Sequence, residues 1–311
     1  MGTLARPRVI LDRRAKAFER HLPDAFGGDV EGIHQARVAS RRLREVLPLL
    51  GVVIEPDVLL ELRRDMRGVT RALGPVRELD VAIDHLAGLA ESAPAFQEAI
   101  VAVRAFTQSQ RDEAFVETRR QLADAAAHRL RRRVSVLAKT LDDPDAVVRC
   151  ASMVAERLAG RRIALSDASL AAGTVYAPGP LHDLRIALKK HRYAMEIALE
   201  VRRSRAKLAL KRTKQLQDVL GELHDLAVLV ARVEDYRLAT RRRPLSTILK
   251  RLSDHLDGSL RTLHLGYLTE REHLAFILEE SERAIDAIRG ALPARDASSG
   301  TPPAPSHGSA A

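Results

Sequence analysis

Apolar residues recur three and four positions apart along almost the whole chain, and no stretch shows the alternation of β-branched residues that a strand requires. The pattern predicts an all-α protein with helices near 8–22, 30–50, 56–73, 76–91, 95–140 (broken once at most), 144–162, 180–202, 204–220, 222–240, 244–264 and 269–291. The most apolar run, Val46 to Ile54, contains Pro48 and Gly51 and is too short to span a bilayer, so it reads as a buried helix end. The helical period lapses between Ser166 and Pro180, where small residues, two glycines and two prolines gather. It lapses again from Ala294 onward, where Ser, Pro, Gly and Ala leave nothing to pack a core and a disordered tail is expected. The organisation this suggests is a first helical unit over 1–165, a second over 166–293 and a tail over 294–311.

A chain of 311 residues exceeds the size at which one core usually stops growing, so two core units or a duplicated domain is expected. The sequence contains such a duplication. The segment His34-Gln35-Ala36-Arg37-Val38-Ala39-Ser40-Arg41-Arg42-Leu43-Arg44 returns as His182-Asp183-Leu184-Arg185-Ile186-Ala187-Leu188-Lys189-Lys190-His191-Arg192, an offset of 148 residues. Downstream, Leu73-Gly74-Pro75-Val76-Arg77-Glu78-Leu79 returns as Leu220-Gly221-Glu222-Leu223-His224-Asp225-Leu226, offset by 147. The two motifs keep their order in both copies.

On a helix turning roughly 100° per residue, His34, Arg37, Arg41 and Arg44 fall within an arc of about 80°, and so do His182, Arg185, Lys189 and Arg192. Ala36, Leu43, Val46, Leu47 and Leu50 occupy the opposite side of the first helix, with Leu184, Ala187, Leu188, Ala194, Met195 and Ala198 opposite the second stripe. Each helix is thus expected to pack with one face and present charge with the other. An ordinary solvated face mixes signs, whereas Arg37, Arg41 and Arg44 repel one another with no acid among them, which calls for an anionic partner. The stripes also start near helix N-termini, with Asp29 a cap for the first and Pro180 suited to the first position of the second. Cations there oppose the helix dipole unless an anion joins them. Arg64, Arg67 and Arg71 share a face on the next helix, as do Lys207, Lys211 and Lys214 in the second half, so four basic helices are expected to converge. Arginines suit bidentate oxyanion contacts and lysines tolerate an irregular ligand, a mixture that fits a chain of phosphates.

Composition narrows the partner. Fifty-one Lys and Arg against 41 Asp and Glu give a formal charge of +10, which favours polyanions. With 3% aromatic residues and no Trp, little is available to stack on bases, and Gln35 is the stripes' sole base-edge reader, so a phosphate polymer without bases fits better than nucleic acid. Nucleic-acid binding remains the alternative, and a granule scaffold that recruits proteins is a third reading. The single cysteine, Cys150, fits a reducing compartment, and residues 1–18 lack the apolar stretch of a secretory signal, so a cytoplasmic protein without a membrane partner is expected.

Catalytic and cofactor signatures are absent. No Gly-x-x-x-x-Gly-Lys loop occurs, and Gly74 and Gly221 read as joints between helices. No His-Glu-x-x-His or Cys-x-x-Cys spacing accompanies the eleven histidines, and arginines beside His34 and His182 would repel a divalent cation. Glu78, Asp80 and Asp225 read as anchors that orient arginines. A binding protein with no metal, no cofactor and no enzymatic activity is expected.

The pattern H-x-x-R-[VI]-x-x-[RK]-[RK]-x-R, present twice and followed each time by L-G-x-x-[RH]-[ED]-L, resembles the CHAD family, the conserved histidine α-helical domain, over residues 8–291. The resemblance implies two pseudo-symmetric four-helix bundles around a basic channel, binding of inorganic polyphosphate, and residence at polyphosphate granules among granule proteins. It also implies ligand-binding roles for His34, Arg37, Arg41, Arg42 and Arg44, for His182, Arg185, Lys189, Lys190, Arg192 and Tyr193, and for Arg77 and His224. Some relatives carry a triphosphate-tunnel domain marked by a Glu-x-Glu-x-Lys strand. No such strand precedes His34, so their hydrolase activity is not expected here.

Overall fold

The computed structural model describes residues 4–51, 55–122, 141 and 143–293, and among them the secondary structure is helical with no strand. The helices are α1 (Pro7–Gly27), α2 (Val30–Val46), α3 (Pro56–Ser92), α4 (Gln97–Leu122), α5 (Pro144–Ala172), α6 (Pro178–Arg202), α7 (Lys207–Ala239), α8 (Arg243–Glu270) and α9 (His273–Arg289), with short 3-10 turns at Leu47–Leu50 and Pro94–Phe96. Residues 123–140, within the expected 95–140 helix, and the tail from 294 lie outside the described residues.

Local chemistry sets the helix starts. Pro7, Pro56, Pro144 and Pro178 each occupy the first position, where a missing N–H costs nothing. The Asp29 carboxylate accepts from the Gly32 amide at 2.6 Å to cap α2, as expected, and Asp143 does the same for α5 from Ala146 at 3.3 Å. Helix α6 opens at Pro178, so Pro180 sits in its first turn and not at its first position. At Gly28 the chain turns into α2 through a φ of 84°, and a Cβ there would lie 2.6 Å from the Phe115 ring, so glycine satisfies both backbone and packing.

Two expected joints are continuous helix. Segments 56–73 and 76–91 form the single helix α3 through Gly74 and Pro75, and 204–220 and 222–240 form α7 through Gly221. Pro75 removes one intrahelical donor, but neighbours reinforce the weakened turn. Thr118 Oγ1 of α4 donates to Ala72 O at 2.9 Å, and Arg37 Nη1 of α2 donates to Thr70 O at 2.7 Å. Helix α5 likewise continues to Ala172, ten residues past the expected end, and the interruption shrinks to residues 173–177.

Sequential helices pair as hairpins, α1 with α2, α3 with α4, α5 with α6 and α7 with α8, while α9 packs on α5. The interior holds two apolar clusters. One gathers Leu11, Phe18, Ile33, Leu43, Leu62, Met66, Leu158, Ala198 and Ile285; the other gathers Leu86, Ile100, Leu165, Leu184, Leu188, Leu220, Leu249 and Ile277. Neither draws on one half of the sequence alone: α3, α5, α6 and α9 run through both. The motif helices α2 and α6 touch each other, and so do their successors α3 and α7.

Candidate functional site

Burial of one face of each motif helix aims the other at its counterpart. Ala36, Leu43, Val46 and Leu47 are buried on one side, and Leu184, Leu188, Ala194, Met195 and Ala198 on the other, as the apolar periodicity requires. Arg37 and Arg41 from α2 and Arg185 and Lys189 from α6 therefore line the same two cavities, of about 450 and 630 Å3. The smaller is closed by His34, Arg77 and His224 together with Glu78, Asp218, Glu222 and Asp225, so its cations face a partly acidic wall. The larger has ten Arg or Lys side chains against two carboxylates, Glu45 and Glu78. A third concavity shares Arg37 with both and Arg44 and Arg67 with the larger, and adds Arg71 and Arg232.

Two of the central cations, Arg37 and Arg185, are held by neighbouring groups. Arg37 is fastened to Thr70 O, while Thr70 Oγ1 donates to Met66 O at 2.7 Å and meets Ser40 Oγ at 3.0 Å, tying α2 to α3 beneath the guanidinium. A Cβ on Gly74 would come within 3.1 Å of Arg37 Nη1, so the absent side chain gives Arg37 its place along α3. Arg185 lies 3.6 Å from Asp225 on α7, and its buried Nε has no hydrogen-bond acceptor among the described residues. His182 and His224 place their Nδ1 atoms 3.3 Å apart and join α6 to α7 beside Arg185.

Burial, reinforced by neighbouring like charge, depresses every base whose titration is displaced here. Burial, aided by Arg185, Arg41 and Arg37 and opposed by Asp225, pushes the Lys189 ammonium down to about 7. Burial and Arg185 push His224 down to about 4, and burial with Arg77 lowers His34. Arg37 falls to about 10 through burial and Arg41. A polyanion bound here would favour the charged form of Lys189, so its binding would take up a proton wherever the free site has lost it. Affinity is expected to fall as pH rises from about 7 toward 9, by up to about tenfold per unit. The fall should vanish in Lys189→Arg, whose charge persists throughout. Calorimetry at pH 8 in buffers of different ionisation enthalpy counts the protons, and a count of zero would refute the coupling.

The expected residues divide into two groups. His34, Arg37, Arg41, Arg44, Arg67, Arg71, Arg77, His182, Arg185, Lys189, Lys190, Tyr193 and His224 line these cavities. Arg42, Arg64, Arg192, Lys207, Lys211 and Lys214 do not. Arg42 and Arg192 both turn to Glu196, at 3.4 and 3.5 Å, and Lys214 pairs with Asp218 one turn along at 2.8 Å. The second basic helix of the second half thus keeps its three lysines on an exposed face and meets the cavities farther along, from Gln217 to Arg232. Asp225 does lie against an arginine as an anchor would; Asp80 pairs with Arg111 at 3.0 Å, away from these cavities. Residues outside the repeats join the lining: Glu45, Arg63, Arg157, Arg161 and Arg232. Among the described residues no three His, Cys, Asp or Glu side chains gather as a metal site requires, and no helix is long and apolar enough to cross a membrane.

The fold matches that of PptA from Streptomyces chartreusis, at 19% identity and a TM-score of 0.58, covering 89% of this chain and 98% of that one. It also matches the CHAD domain from the plant Ricinus communis, at 20% identity and a TM-score of 0.57 over 92% of this chain and 94% of the other. No curated protein sequence matches. The CHAD domain profile itself aligns with residues 9–234, which hold both copies of the repeated motif and every residue that lines the basic cavities. The chain belongs to the CHAD domain family.

Proposed function

We propose that the protein binds inorganic polyphosphate without turning it over, in a basic channel between two pseudo-symmetric four-helix bundles, and that this binding carries it to polyphosphate granules. The observation behind the reading is the convergence of Arg37 and Arg41 from one repeat with Arg185 and Lys189 from the other on the same cavities. Their mutual repulsion has no structural benefit for the free protein, whereas a densely charged anion would reverse it. The resemblance carried by the repeated motifs implies the same ligand.

Competition of polyphosphate against single-stranded and duplex nucleic acid at physiological salt is the direct test. Polyphosphate should displace both at lower phosphate concentration; the reverse order would favour the nucleic-acid alternative. With about six cations engaged, affinity should fall roughly 300-fold between 50 and 200 mM salt through counterion release, and a flat response would contradict an electrostatic channel. Polyphosphate incubated with protein and Mg2+ should keep its length and release no orthophosphate above a protein-free control.

A further inference from the structure

Two arginines of α5 stand on the larger cavity although neither belongs to a repeated motif. Arg157 and Arg161 are four residues apart and so share a helix face. Both send Nε to the same oxygen of Glu45, Arg157 at 2.7 Å and Arg161 at 3.2 Å. Glu45 comes from α2, one position beyond Arg44, and is 7% exposed, so its carboxylate is a fixed post and not a surface counterion. Each guanidinium is thus tethered through Nε alone. Among the described residues no acceptor takes an Nη hydrogen of either side chain, and both line the cavity with Arg44 and Arg67.

We infer that Arg157 and Arg161, oriented by Glu45, form a phosphate-binding subsite at one end of the basic groove. A guanidinium anchored at Nε presents its remaining N–H groups as a fork, which matches the paired oxygens of a phosphate. One carboxylate serving two guanidinium groups leaves the trio with an excess positive charge, and a bound phosphate would offset it. The subsite makes the groove uneven: Arg44, Arg67 and this pair crowd one end, while Glu222 and Asp218 border the other. It takes its ligand from the polyphosphate reading, but its residues are separate from the four central cations.

Affinity of the full chain for fluorescently labelled polyphosphate tests it. Arg157→Ala with Arg161→Ala should weaken binding by about 10- to 100-fold, and the paired lysine replacement should recover only part of that, since charge returns without the fork. Glu45→Ala separates positioning from charge. Removing a negative charge beside a polyanion would tighten binding if Glu45 acted only through its field, whereas loss of the post should weaken it about tenfold. Thermal unfolding checks that each variant is folded, and the lysine pair keeps the test valid should Glu45→Ala prove unstable. Wild-type affinity in the alanine pair, or tighter binding by folded Glu45→Ala, overturns the subsite while leaving polyphosphate binding intact. Should the wild type bind single-stranded DNA and not polyphosphate, the same variants read on DNA decide the subsite alone. Binding of neither polyanion overturns both.

Discussion

Reversing two charges in either central pair, Arg37→Glu with Arg41→Glu or Arg185→Glu with Lys189→Glu, is expected to weaken polyphosphate binding by about a thousandfold. A charge-assisted hydrogen bond contributes roughly 1.5–3 kcal/mol, so losing two removes about 3–6 kcal/mol before the new repulsion is added. The two variants should agree within about tenfold, because all four side chains line the same cavities. Unfolding is not expected to mimic the effect, since none of the four fills the apolar interior. Arg37 also bonds Thr70 O and Arg185 also faces Asp225, so Arg37→Gln and Arg185→Gln are the controls that keep a donor at each place without the charge. Circular dichroism should show unchanged helicity. If one reversal leaves affinity within threefold of wild type, the two repeats do not share a site.

Much of this arrangement is legible in the sequence because it depends on angle and order alone. A helical period fixes which side of a helix carries His34, Arg37, Arg41 and Arg44, and burial of Leu43 and Val46 leaves that side to face inward. What spacing does not carry is contact between distant segments. Whether Gly74 and Pro75 end a helix depends on Thr118 and Arg37 reaching back to the turn before them, so propensity reads a joint where tertiary donors sustain α3. Whether a stripe cation is free depends on acids elsewhere: Arg42 meets Glu196 from a helix 154 residues later, and with Arg192 it is drawn aside from the cavities. The α5 pair is the converse case. Arg157 and Arg161 flank the apolar positions Val154, Leu158 and Leu165, a half-buried register that spacing does reveal, but their tether Glu45 lies 112 and 116 residues away.

Long polyphosphate is expected to bind at least about a hundredfold more tightly than tripolyphosphate once affinities are normalised to phosphate concentration. The cavities share Arg37, Arg41, Arg185 and Lys189 as common walls, with Arg77 and His34 beyond them on one side and Arg44 and Arg67 on the other. A chain held at the centre therefore has further cations within reach in both directions. Each later contact forms at a high effective concentration, which typically raises affinity by 10²–10⁴-fold without any new kind of interaction. A triphosphate can occupy the centre or one end but cannot engage all three regions. The salt dependence should separate the two ligands as well, because its slope reports how many cations are neutralised at once, and it should be steeper for the long chain. In Arg37→Glu with Arg41→Glu the centre is interrupted, so the normalised affinities of long and short chains should converge to within about tenfold. Calorimetry with size-fractionated polyphosphate measures both quantities. Equal normalised affinities and equal salt slopes in the wild type would mean that the cavities act as separate pockets, and a continuous channel would be excluded.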